Sequence, residues 1–210
     1  MDNPAPAVGG GRYRRGMRWD HLFDDLSAQL EHELRTEQAD LEQEEERLRL
    51  GRLPLRERLV ALRRSAEAEQ VLTIRLVTGE RVRLRLVTIG RDWFAGSVEA
   101  PPRAVQMAVP LAAVDALLLS PAQATTSLIP VAEASELGAR LGLSFLLRDL
   151  CRRRASVALR TRGGQVTGTI DRVGRDHLDL AEHDRDEPRR ATAVEAVRVI
   201  PLDQLVSVTL

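Results

Sequence analysis

One stretch of this chain is written twice. Residues 77–96, VTGERVRLRLVTIGRDWFAG, return at 161–180 as TRGGQVTGTIDRVGRDHLDL. At a constant offset of 84, Gly79 matches Gly163, Val82 matches Val166, Leu86 matches Ile170, and Gly90-Arg91-Asp92 matches Gly174-Arg175-Asp176. Further on, Val109-Pro110-Leu111 matches Ile200-Pro201-Leu202 at an offset of 91. The change of offset falls at 182–191, an acidic and arginine-rich stretch with one proline, which predicts a lengthened loop. A repeat constrains the fold twice over, because whatever one copy folds into must also suit the other.

The local period says what the copies are. Leu72, Ile74 and Leu76 alternate with Thr73 and Arg75; after a turn at 78–81, Val82, Leu84 and Leu86 alternate with Arg83 and Arg85. This predicts a β-hairpin with one apolar and one arginine-rich face. Gly90-Arg91-Asp92 is a second turn, and 93–98 a third strand. Pro101-Pro102 marks a loop. Residues 104–109 form a fourth strand, 110–113 a short 3₁₀ turn and 114–119 a fifth strand. Each copy follows an amphipathic helix ending in arginines: 55–68, carrying Leu55, Leu59 and Leu62, and 135–153, carrying Leu141, Phe145, Leu146 and Leu150. The unit is a helix and five strands.

Upstream, Trp19, Leu22, Phe23, Leu26 and Leu30 recur at helical spacing and predict a long helix over 19–49, closed by Gly51 and Pro54. Its stripe thins to Leu34, Leu41 and Leu48, with Glu37 and Glu44–Glu46 between them, which is too polar for a strong coiled coil. The whole chain has 31 basic and 31 acidic residues and no net charge, yet 19–50 hold eleven acids against three arginines. Neutrality removes the simplest sign of a nucleic-acid protein, a strongly basic domain, without forbidding a charged face. The expected division is a disordered tail over 1–18, a helical segment over 19–68, a first β module over 69–120, a linker over 121–134, and a helix with the second β module over 135–210.

The succession of helix, strand, glycine turn, long strand, glycine turn and third strand resembles the Sm-like fold, a small SH3-type barrel. The second copy carries Val157, Leu159, Gly163, Gly168, Ile170 and Asp176 in that pattern; the first has Leu84 where Gly168 stands. The resemblance implies an α+β chain of two small five-stranded barrels, each preceded by a helix and set edge to edge as a pseudo-dimer. The pattern is also similar to uncharacterised proteins of arginine-rich, high-GC bacteria. Sm proteins hold RNA through residues after the fourth strand, where both copies here have a Pro-Leu turn.

Chemistry-bearing residues are sparse. No phosphate loop, nucleophile elbow or His-Glu-x-x-His is present, so no catalytic residue, cofactor or metal is assigned, and the chain reads as non-enzymatic. His177, Asp179 and His183, with Glu182 and Asp184 beside them, have ligand chemistry on one strand, but a solvated strand end is the simpler reading. Cys151, the sole cysteine, reads as a small buried residue. Arg12, Arg14, Arg15 and Arg18 make the tail basic. Arg75, Arg83 and Arg85 share one outward parity and are the candidate contacts for a partner or for nucleic acid. The expected role is a non-catalytic interaction or assembly module with a protein partner and a possible homo-oligomer; RNA binding through the arginine face is the alternative. No segment is apolar enough to span a membrane and no leader is recognised, which points to the cytoplasm.

Overall fold

The computed structural model describes residues 19–65, 71–98, 104–131, 137–184 and 194–210. The basic tail and most of the expected loop lengthening lie outside them. The chain divides into two compact units, Met1–Arg52 and Leu53–Leu210.

The described part of the first unit is the helix α1 (Trp19–Gly51). Its apolar stripe faces solvent: Phe23, Leu26, Leu30, Leu34, Leu41 and Leu48 are all exposed. Ion pairs within the helix offset part of its acidity, Arg35 to Glu31 at 3.0 Å and Arg49 to Glu46 at 2.6 Å. The Arg49 hydrogen bond holds the Glu46 carboxyl below the usual carboxylate range.

The second unit begins with helix α2 (Leu55–Arg64) and five strands: β1 (Leu72–Leu76), β2 (Arg81–Ile89), β3 (Trp93–Val98), β4 (Val105–Pro110) and β5 (Val114–Leu118). After α3 (Pro121–Thr126) and α4 (Leu143–Arg152) come β6 (Ser156–Thr161), β7 (Gly164–Val173), β8 (His177–Glu182), β9 (Ala196–Pro201) and β10 (Leu205–Thr209). Two expectations are adjusted locally. The stretch read as a linker holds α3, whose Ser120 and Gln123 make a reciprocal capping box. The helix expected over 135–153 is a 3₁₀ turn (Leu137–Arg140) followed by α4, because Gly142 breaks the run and becomes the N-cap.

The expectation of two separate five-stranded barrels is overturned. All ten strands form one open antiparallel sheet in the order β5-β1-β2-β3-β4-β10-β6-β7-β8-β9. The two halves meet where β4 pairs with β10, Ala108 opposite Val208 and Met107 opposite Thr209. The physical reason is shared burial. A half of this size has too little core of its own, and each has an edge that is costly to leave unpaired. Joining β4 to β10 removes two edges and lets each core borrow from the other half. Val206 of β10 is fully buried in the first-half core beside Phe94 and Val109, while Trp93 and Ala108 are buried in the second-half core with Leu147, Leu159 and Ile170.

Within this one sheet the two halves keep the same pairings. Leu86 opposite Gly96 returns as Ile170 opposite Leu180, and a bulge follows in both. Trp93 opposite Pro110 returns as His177 opposite Pro201. Ile74 opposite Leu117 returns as Leu159 opposite Val208. The last pair moves the β1 and β6 match from 84 to 85, because the second hairpin turn is one residue shorter. Among the described residues the glycines with positive φ, Gly79 and Gly164, both lie in these hairpin turns.

Candidate functional site

The junction between the halves is more than a strand pair. The turn between β2 and β3 clasps the start of α4. Asp92 Oδ1 accepts a 2.7 Å hydrogen bond from the Leu143 backbone N–H, which serves as a side-chain cap because Gly142 has none to offer. Arg91 N–H and the Trp93 indole Nε1–H both donate to the Leu141 carbonyl at 3.0 Å. A Cβ at Gly142 would meet Arg91 Nη2 at 2.8 Å, the mobile end of an exposed side chain that can move aside. Arg160 reaches Glu80 at 2.8 Å and adds an ion pair between the halves.

The repeat gives each junction part a counterpart, and among the described residues the counterpart strands form the two outer edges of the sheet. β9, the counterpart of β4, pairs only with β8; β5, the counterpart of β10, pairs only with β1. Val199 stands where Ala108 stands, yet it is 62% exposed, and Val197 is 61% exposed. Asp176, the counterpart of Asp92, is an exposed side chain whose nearest partner is the adjacent His177, Oδ1 to Nδ1 at 2.8 Å. That bond holds its carboxyl below the usual range. Helix α2, the counterpart of α4, starts after Pro54 without a side-chain cap. The chemistry has also diverged: Asp115 replaces Val206, and His177 and Asp179 replace Trp93 and Ala95.

The predicted arginines do share a face. On β2, Arg81, Arg83 and Arg85 are exposed and alternate with buried Val82 and Leu84. Arg75 lies directly opposite Arg81, and Arg83 opposite Thr73. Sequence reasoning missed Arg81, although the same alternation marks it. Arg75 is ion-paired with Asp115 across the β1–β5 ladder, and Arg85 is also engaged within the chain. The face is therefore less basic than the sequence suggests. In the second half Gln165, Thr167 and Thr169 take the places of the three β2 arginines.

The histidines and carboxylates of β8 do not converge. His183 is buried, its Nε2 2.8 Å from Thr169 Oγ1 and its Nδ1 2.8 Å from the Asp184 carbonyl. A carbonyl only accepts, so Nδ1 carries a proton. His177 is taken by Asp176, and Asp179 faces Arg172 at 3.8 Å. No cluster with metal-holding geometry occurs among the described residues. Cys151 is half-buried, with Sγ 3.4 Å from the Asp171 carbonyl. None of the described helices is long and apolar enough to cross a membrane. No protein-family model, no curated protein and no solved structure matches this chain.

Proposed function

We propose that this protein is a non-catalytic interaction and assembly module that works through the edges of its sheet. One observation carries the reading: β9 is a terminal strand with a partner on one side, and it presents Val197 and Val199 to solvent. An edge strand with unpaired backbone groups and apolar side chains is a template for another chain. A single cysteine fits a cytoplasmic setting.

The test is photo-cross-linking in the native host, with the reactive residue placed at Val197 or Val199 and, as a control, at exposed Gln165. Adducts confined to the two β9 positions are the expected result. Equal labelling from Gln165, or no adduct from β9, overturns the reading. A second reading, binding of RNA or another polyanion, draws on the clustering of Arg75, Arg81, Arg83 and Arg85. Replacing Arg81 and Arg83 by Gln should then flatten the salt dependence of RNA binding, and unchanged binding removes that reading.

A further inference from the structure

We infer that the partner of the free edges is a second copy of this chain, bound head to tail in the geometry of its own internal junction. This rests on the edge reading above and names the occupant. The argument is continuity. The chain already contains one complete interface, in which first-half β4 and the Asp92 turn meet second-half β10 and α4. The second half repeats the donor surface, β9 and the Asp176 turn. The first half repeats the acceptor surface, β5 and the start of α2. The registers around these elements are the same in both halves, so the surfaces have the shape to meet once they belong to different molecules.

The internal junction fixes the register of the contact. Thr209 opposite Met107 becomes Leu118 of one copy opposite Arg198 of the next. The Leu210 N–H bond to the Gln106 carbonyl, 3.0 Å in the chain, becomes Leu119 N–H to the Val197 carbonyl. The Asp92 bond to Leu143 N–H becomes Asp176 to Leu55 N–H, which would give α2 the cap it lacks. The substitutions at the free surfaces set the strength. Val206 enters the neighbouring core, whereas Asp115 at that place would bring a carboxylate toward it. The contact is thus weaker than the internal one and reversible. Since donor and acceptor surfaces differ, each added copy exposes a fresh pair, and growth continues to a ring or filament instead of stopping at a dimer.

The experiment is sedimentation velocity of the full chain from low to high micromolar concentration, paired with disulfide trapping in a Cys151→Ser background. Expected are species larger than dimer that grow with concentration, and a disulfide when L118C and R198C protein are mixed. These positions correspond to Thr209 and Met107, between the hydrogen-bonded pairs of the ladder, where facing side chains come closest. Asp176→Ala should weaken association about fivefold, the usual effect of losing a helix cap, and Asp115→Val should strengthen it. Circular dichroism checks that each variant folds. A monomer at every concentration overturns the inference, as does a disulfide formed by R198C protein alone, which reports back-to-back β9 pairing. In the cross-linking test above, β9 adducts of chain plus a different protein sink the second copy while leaving the edge reading intact; no β9 adduct sinks both.

Discussion

The β4·β10 junction and the free β9 and β5 edges are built on one repeat and treated differently. At the junction the positions facing the other half are Trp93, Ala95, Ala108 and Val206, of which three are buried and Ala95 packs against the second-half core. At the free edges the same positions hold His177, Asp179, Val199 and Asp115. The backbone registers are kept in both. Strand pairing is thus common to the two copies, and the side chains decide how firmly an edge is closed. A buried apolar residue makes the junction permanent, and a charge at the matching place keeps the outer edge open to exchange.

The comparison breaks most sharply if the junction is given the chemistry of the edge. Val206→Asp places a carboxylate at a fully buried site of the first-half core and should cost about 3 kcal/mol or more. Urea denaturation measures it, and a loss below about 1 kcal/mol would mean that Val206 is not shared between the halves. Trp93→Ala should come next, at about 3 kcal/mol, because it empties a large buried site and removes the bond to Leu141. His177→Ala, at the matching place, should shift the midpoint far less. Equal losses for the pair would contradict the asymmetry described here.

Asp92→Ala tests the clasp. It removes the cap from α4 and should destabilise by about 1 kcal/mol, while Asp176→Ala, measured on dilute protein, should fall short of that. The smallest effect is in pH. The His177 hydrogen bond favours the charged form of Asp176, so its contribution to stability is present above the ordinary carboxylate value, near ~3.9, and is lost as pH falls through the lowered one. An NMR titration of the Asp176 carboxyl should give a midpoint below that value, returning to it in His177→Ala.

Parts of this architecture were legible in the residues. The alternation of Val82, Leu84 and Leu86 with Arg83 and Arg85 places a strand and its faces, because side chains on a strand must alternate. The two Gly-Arg-Asp turns align the copies, and the Pro-Leu turns mark where each fourth strand ends. Ser120-Pro121-x-Gln123 caps α3 within the stretch expected as a linker, and α3 is too short to show a period. The second hairpin turn is one residue shorter than the first, and the positive φ falls on Gly79 in one and Gly164 in the other, because backbone φ follows hairpin length.

The arginine face was half legible. Its parity follows from the strand period, so Arg75, Arg83 and Arg85 do lie together, with Arg81 joining them. The pairing of Arg75 with Asp115 was not legible, since the two residues stand 40 apart in the chain and meet only because β5 returns to pair with β1. The same holds for Asp92, whose role as a cap depends on α4, a helix from the other half.

By itself the sequence determined the elements, their faces and their duplication, since period, turn residues and repeat are properties of neighbouring positions. The tertiary structure decided that the two copies share one sheet and do not close into separate barrels. That choice depends on the apolar area Trp93, Ala108 and Val206 bury across the β4·β10 boundary, and such burial exists only once the two halves are brought together.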